Sequence, residues 1–124
     1  MSQIVLDVGN CEPDHASIKR MLLANFPVQV LQADNTAEAL AVLDEHAVSL
    51  ILINRKLDQD YSDGIEVLKQ IKAEARFSAI PIMLVTNYAE HQQLAISFGA
   101  VEGFGKLSLN SPETRNRIAA ALGT

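Results

Sequence analysis

The chain has 124 residues with a formal net charge of −5 at neutral pH, and hydrophobic residues make up 48 % of it. That length suits one domain, residues 1–124, with a single core. An acidic chain is a poor ligand for nucleic acid or for an anionic membrane. No apolar run approaches the roughly 20 residues that a membrane-spanning helix needs, and we recognise no signal peptide. Because a single cysteine, Cys11, excludes an internal disulfide, we predict a cytoplasmic protein.

Short β-rich runs alternate with helical patterns along the chain. The predicted strands are Gln3 to Gly9, Val28 to Ala33, Val48 to Asn54, Ile80 to Thr86 and Val101 to Gly105. The third and fourth runs are almost continuously apolar, which is typical of parallel strands that are covered on both faces.

Helical spacing fills the intervals between these strands. Pro13 suits the first turn of a helix that runs to about Asn25, and Thr36 is the predicted N-cap of the second helix. The third helix is "IEVLKQIKAEA", and the fourth ends at Gly99, a residue that commonly follows a helix. Ser111 opens the fifth helix.

Five β–α units in a chain of this length imply a three-layer α/β fold with right-handed crossovers. We predict a parallel five-stranded sheet in the order 2-1-3-4-5, which is the flavodoxin-like (βα)5 arrangement. In such a sheet, the functional site lies at the carboxyl ends of the strands. Those ends carry residues 9–12, 54–58, 86–88 and 105–107.

Five segments, in this order, resemble the receiver domain of bacterial response regulators. They are "CEPDHASIKRML", "NTAEALAVLDEHAVSLILIN", "DGIEVLKQIK", "IPIMLVTNYAE" and "FGAVEGFGKL". The resemblance covers essentially the whole chain and implies two-component, phosphorelay signal transduction. In that family a strand-three aspartate accepts a phosphoryl group from a phosphohistidine donor. An acidic pair helps to hold Mg²⁺, and a Thr or Ser and a Lys contact the phosphoryl oxygens.

The resemblance can be carried over position by position. It assigns the acceptor aspartate to Asn54 and the acidic pair to Asn10 and Cys11, whereas Thr86 and Lys106 match the family. An amide cannot form an acyl phosphate, and an amide with a thiol offers Mg²⁺ no carboxylate. We therefore predict a pseudo-receiver with a degenerate phosphorylation pocket, no catalytic residue, no metal site and no cofactor.

The fifth strand also departs from the family pattern. The proline that usually follows the lysine is Leu107, which puts any cis peptide bond at that joint in doubt. The aromatic switch position falls on Gly103. Phe104 follows it and would point to the opposite face of a regular strand. The loop from Asn54 to Gly64 also looks longer than the family's usual loop.

Several polar residues have more than one interpretation. Asn54 could mimic a fixed phosphorylation state, or it could be a neutral residue that is hydrogen-bonded to Lys106. Together with Thr86, these two residues could also form a small-anion pocket. Asp7, within strand one, could pair with Lys106 or Arg55, or it could lie near an exposed edge.

The acidic loop after strand three is also ambiguous. Asp58, Asp60 and Asp63 suit a solvated turn, but an active receiver that accepts a phosphoryl group on Asp58 or Asp60 is the alternative function. Cys11, near a helix N-terminus, is either a redox sensor or an inert small residue. No metal-ligand spacing connects the three histidines, His15, His46 and His91.

The leading hypothesis is a phosphorylation-independent signalling module that binds another protein and is not an enzyme. The partner is a sensor kinase, an output domain or a second copy of the chain. The resemblance points to the face of helix four, strand five and helix five, where Phe104, Leu107 and Leu109 would form an apolar contact patch if exposed. A homodimer through this face is the simplest version.

Overall fold

The computed structural model describes residues 2–124 and contains five parallel strands. They are β1 (Gln3–Val8), β2 (Val28–Ala33), β3 (Val48–Asn54), β4 (Ile82–Val85) and β5 (Val101–Phe104). They pair in the order β2-β1-β3-β4-β5, which confirms the predicted flavodoxin-like fold. The fourth strand begins later than predicted, at Ile82, because Pro81 has no N–H to donate to a neighbouring strand.

Five α-helices connect or follow the strands. They are α1 (Glu12–Asn25), α2 (Thr36–Glu45), α3 (Gly64–Ala73), α4 (Ala89–Ser97) and α5 (Pro112–Leu122). Within residues 2–124, no helix has the length and apolar character needed to span a bilayer.

The helix termini follow the sequence signals with one exception. Pro13 lies in the first turn of α1, and Gly99 follows α4 with a positive φ of 104°, both as predicted. The N-cap of α2 is Asn35, so the prediction of Thr36 was wrong. The Asn35 side chain accepts a hydrogen bond of 2.9 Å from the Glu38 N–H, a role in which Asn is at least as effective as Thr.

The sheet is buried on both faces, because alternate residues of its central strands point to opposite sides. Leu6 and Ile51 belong to the core cluster under α2, α3 and α4, whereas Val5 and Leu52 belong to the cluster under α1 and α5. By the same alternation, Asp7 lies on the α1 side of β1. A carboxylate is thus placed within an otherwise apolar layer, next to the carboxyl edge of the sheet.

The loop between β3 and α3 is anchored to the turn that follows β1. Leu57 is buried against Gly9 and leaves no room for a β-carbon there. Gly9 also has a φ of +80°, a backbone conformation that favours glycine. The Asp58 N–H donates a hydrogen bond of 2.9 Å to the Gly9 carbonyl. An antiparallel bridge between Lys56 and Asp63 closes the loop on itself. The acidic loop is therefore held at the carboxyl edge of the sheet.

Candidate functional site

The residues that the resemblance assigns to the pocket all lie at one edge of the sheet. Asn10 and Cys11 separate β1 from α1, Asn54 is the last residue of β3, and Thr86 directly follows β4. Lys106 begins a short 3-10 helix, Lys106–Ser108, after β5. Parallel strands end at the same edge, so the fold gathers side chains that are far apart in the sequence.

Lys106 and Asn54 do not bond to each other. The Lys106 Nζ donates to the Asp14 Oδ2 on α1 at 2.7 Å, and the Asn54 Nδ2 donates to the Lys56 carbonyl at 2.7 Å. The interpretation of Asn54 as the partner of Lys106 was therefore wrong. A charged ammonium forms a stronger hydrogen bond with a carboxylate than with a neutral amide, and the Lys106 hydrogen bond holds the pKa of the Asp14 carboxyl below its ordinary value.

Asp7 is fully buried beneath the first turns of α1. Its Oδ1 accepts a hydrogen bond of 2.6 Å from the Asn10 Nδ2, and its Oδ2 lies 2.7 Å from the His15 Nδ1. Neither Lys106 nor Arg55 bonds to Asp7, so both predicted pairs were wrong. The prediction that Asp7 lies near an exposed edge was also wrong, because the residue is fully buried. Burial raises the pKa of the Asp7 carboxyl, while the hydrogen bonds from His15 and Asn10 act to lower it.

The donor set at this edge does not fit Mg²⁺. That ion prefers carboxylate and other hard oxygen ligands in octahedral geometry, but the assigned positions offer the Asn10 and Asn54 amides and the Cys11 thiol. The Asn10 Oδ1 is buried and has no hydrogen-bond partner among residues 2–124. The same residues contain no cluster of three His, Cys, Asp or Glu side chains arranged for a metal ion.

The other half of the edge is organised by α4 rather than α1. The Thr86 Oγ1 lies 3.3 Å from the His91 Nδ1 and accepts a hydrogen bond of 3.3 Å from the Tyr88 N–H. The Arg55 Nε donates to the His91 Nε2 at 3.1 Å. His91 thus connects the residue after Asn54 with the threonine after β4, a link that the sequence did not predict.

Gln92 fastens α4 to the two neighbouring strands β4 and β5. Its Nε2 donates to the carbonyls of Leu84 and Thr86 at 3.0 and 3.3 Å, and its Oε1 accepts a bond of 2.9 Å from the Gly103 N–H. A β-carbon at Gly103 would overlap the Leu84 carbonyl oxygen. The sequence held a partial signal for this contact, because Gln92 shares a helix face with the apolar Ala95 at i, i+3 spacing. In the structure both side chains are buried.

The contact patch predicted at the end of β5 is only partly exposed. Phe104 is buried in the core cluster under α1 and α5, so its assignment to a partner face was wrong. Leu109 is partly buried against the same cluster, whereas Leu107 is 90 % exposed. The Leu107 N–H donates to the Asn87 Oδ1 at 3.1 Å, which a proline could not do. Residues 2–124 contain no cis peptide bond.

The acidic loop has two carboxylates with local structural roles. The Asp60 Oδ1 accepts a hydrogen bond of 2.9 Å from the Ser62 N–H, and its hydrogen bonds with Ser62 lower the pKa of the Asp60 carboxyl. Asp63 is the N-cap of α3. Asp58 is exposed. The loop is therefore a solvated turn whose carboxylates bond to neither Thr86 nor Lys106.

The sequence profile of the family described as "Response regulator receiver domain" matches residues 12–117. That range includes Asn54, Thr86 and Lys106, and it begins just after Asn10 and Cys11. No curated protein sequence matches the chain.

Solved structures of receiver proteins have the same fold. The signal receiver domain of a DNA binding response regulator from Colwellia psychrerythraea has a TM-score of 0.82 at 17 % identity, over 99 % of this chain and all of that one. Chemotaxis protein CheY4 of Vibrio cholerae has a TM-score of 0.74 at 19 % identity, over 99 % of this chain and 98 % of that one. NtrX from Brucella abortus has a TM-score of 0.78 at 22 % identity, over 99 % of this chain but 27 % of that longer one. With the profile match over most of its length, the chain belongs to the response regulator receiver domain family of two-component signalling.

Proposed function

We propose that this receiver domain signals without being phosphorylated, by binding another protein, and has no enzymatic activity of its own. The observation that carries the proposal is the position of Lys106. Its ammonium, which the family uses at the phosphoryl group, is bound to Asp14 at 2.7 Å, while an amide stands at the acceptor position. The positive charge that would offset a phosphoryl group is thus already engaged by a carboxylate.

The chemistry of the remaining positions supports the same conclusion. Asn54 has no anionic oxygen to attack phosphorus, and its Nδ2 is used in a bond to the Lys56 carbonyl. Asn10 is bound to Asp7, and Cys11 is a thiol. A phosphoryl transfer site depends on positioning and on concentrated positive charge, and neither is arranged around this acceptor position.

The alternative, a phosphoryl group on Asp58 or Asp60, has no observation in its favour. Asp60 is turned to the Ser62 N–H, and neither carboxylate bonds to Lys106. A phosphoryl group on either carboxylate would be detected in a titration with Mg²⁺ and beryllofluoride.

The surface formed by α4, β5 and α5 is the proposed partner surface. Gln92 ties α4 to β4 and β5, and this bonding favours a single arrangement of the surface. Beside α5 the exposed edge strand carries an apolar groove of about 280 Å³, which is lined by Met83, Val101, Ala120 and Ala121 and flanked by the Glu102–Arg117 ion pair. Apolar grooves with a charged rim are typical of protein interfaces.

A second copy of the chain is the simplest partner. A sensor kinase is another candidate. An output domain is a third, since NtrX has this fold as one part of a longer chain. The cytoplasmic location stays a prediction. Val101→Glu, which places a charge in the apolar groove, is expected to weaken self-association in sedimentation velocity, whereas the exposed control Leu23→Glu on α1 is not.

The decisive experiment is an NMR titration of labelled protein with Mg²⁺ and beryllofluoride, which mimics a phosphoryl group. We expect no saturable shift at Asn54, Thr86 or Lys106. The control is the double variant Cys11→Asp/Asn54→Asp, which restores an acceptor and one metal-binding carboxylate and is expected to give saturable shifts. Saturable shifts of the native protein centred on Asp58 or Asp60 would overturn the proposal and establish a working receiver.

A further inference from the structure

The imidazole of His91 connects three elements at the edge of the sheet. His91 lies in the first turn of α4 and is partly buried. Its Nε2 accepts from the Arg55 Nε at 3.1 Å, just beyond β3, and its Nδ1 lies 3.3 Å from the Thr86 Oγ1, just beyond β4. One ring therefore holds the start of α4 against the ends of two strands.

The partners of His91 determine its protonation state. A guanidinium has only donors, so the Nε2 must present a lone pair to the Arg55 Nε–H. The neutral ring then carries its hydrogen on Nδ1 and donates it to the Thr86 Oγ1, which also accepts from the Tyr88 N–H. A protonated ring would direct an N–H at the guanidinium and place two cations in contact. Only the neutral imidazole is compatible with this geometry.

The surroundings of His91 give an imidazolium little support. The Tyr88 ring meets it edge to face at 5.3 Å between centroids. Glu90, the neighbouring carboxylate on α4, is exposed. In the described part of the chain, no carboxylate forms a salt bridge with His91 or with Arg55. Protonation of His91 would therefore place its positive charge beside the Arg55 guanidinium, with no ion-paired carboxylate to offset it.

We propose that His91 is a pH-responsive clamp, which holds the first turn of α4 to the ends of β3 and β4 while neutral and releases it when protonated. This proposal is based on the contacts of the His91 ring and does not depend on whether the pocket accepts a phosphoryl group. Any effect on partner binding rests on the proposed function, because α4 forms part of the proposed partner surface.

The test is an NMR titration of labelled protein from about pH 8 to about pH 5, the range in which histidines change charge. The ring nitrogens of His91 are expected to show the Nδ1–H tautomer at high pH. The amides of Thr86, Tyr88 and His91 should then shift with the same midpoint as the ring. In His91→Gln these pH-dependent amide shifts should disappear.

The controls use the chain's other groups. His46→Gln, at the exposed end of α2, is expected to leave the α4 shifts intact. Arg55→Met keeps the length of the side chain but removes the donor, so it should reduce the shifts even if His91→Gln folds poorly. An Nε2–H tautomer at high pH would overturn the clamp, as would a ring that titrates without any change at Thr86 and Tyr88. Because no partner is present, failure here is distinct from failure of the proposed function.

Discussion

The two sides of the pocket at the carboxyl edge of the sheet are held together by opposite chemistry. On the α1 side, the carboxylate of Asp7 binds His15 at 2.7 Å, so a proton on that ring preserves the contact. On the α4 side, the guanidinium of Arg55 donates to His91, so a proton on that ring removes the contact. The effect of acid on each contact is therefore determined by the residue that the histidine contacts, a carboxylate or a guanidinium, and not by the histidine itself.

The two sides also differ in depth. Asp7 has no exposed surface, and its bonds are made within the core layer beneath α1. The Arg55–His91 link lies at the partly buried start of α4. We therefore expect substitutions of the buried Asp7 to change stability most, and those of Arg55 and His91 to act mainly on the position of one helix.

The largest expected effect belongs to Asp7→Ala, which leaves the Asn10 amide and the His15 ring without their buried partner. The free energy of unfolding should fall by about 3–5 kcal/mol, as for other buried pairs that lose one member. Urea denaturation monitored by circular dichroism measures this change. The double variant Asp7→Leu/His15→Leu, which replaces the pair by apolar side chains, should recover much of the loss. A cost for Asp7→Ala below about 1 kcal/mol would contradict a buried pair.

Gln92→Ala tests the α4 side and should cost about 2 kcal/mol, because the buried Gly103 N–H loses its acceptor. Faster hydrogen exchange at the Gly103 amide would locate the damage at the contact between α4 and β5. Its neighbour Gln93 is exposed, so Gln93→Ala is the matched control and should leave both readouts unchanged. Equal effects of the two variants would show that Gln92 does not fasten the helix.

Asp14→Asn should have the smallest effect on stability, up to about 1 kcal/mol, because solvent screens an ion pair whose side chains are about one-third exposed. The amide keeps the shape of the side chain but removes the charge opposite Lys106. Chemical denaturation at low and at high salt measures the loss, which should shrink as salt rises. A loss well above this size would mean that the pair is far better shielded than its exposure indicates.

The stability contributions of Asp7 and Asp14 depend on pH with opposite signs. Burial raises the folded pKa of Asp7 above 3.8, so its contribution to stability is greatest below that value and declines as pH rises through the raised pKa. The hydrogen bond from Lys106 lowers the folded pKa of Asp14, so its contribution is present above 3.8 and is lost as pH falls through the lowered pKa.

The stability of the native protein relative to Asp7→Asn should therefore fall as pH rises, and its stability relative to Asp14→Asn should rise. Denaturation curves at a series of pH values give both slopes. Slopes of the same sign would contradict the environments described for these two carboxylates.

The fold could be predicted from the sequence because the apolar runs and the residues at the helix termini indicate the same strands and helices. The apolar runs of β3 and β4 predict strands that are covered on both faces, and they are buried on both. Likewise, Pro13 and Ser111 mark helix starts that the structure confirms. The predicted N-cap of α2, Thr36, was wrong by one position, because its neighbour Asn35 is at least as good a cap.

The contacts at the pocket edge were harder to predict, because they depend on how helices are placed over the sheet. Lys106 and its partner Asp14 are 92 positions apart, and nothing local joins them. His15 did carry a signal: it shares a face of α1 with the buried Ile18 and Leu22, at i, i+3 and i+7 spacing. A histidine on that face must meet the sheet. The strand residue opposite it, Asp7, could be identified only when the helix position was known.

The packing of Gly103 onto the Leu84 carbonyl has an evolutionary consequence. At the acceptor position, where the Asn54 side chain lies at the rim, one substitution restores a carboxylate without moving the backbone. At Gly103 any side chain collides with the main chain of β4, so an aromatic residue fits there only if β4 and β5 first separate. Under the proposed function, a single substitution could therefore supply an acceptor carboxylate, whereas an aromatic side chain at Gly103 would require several simultaneous changes.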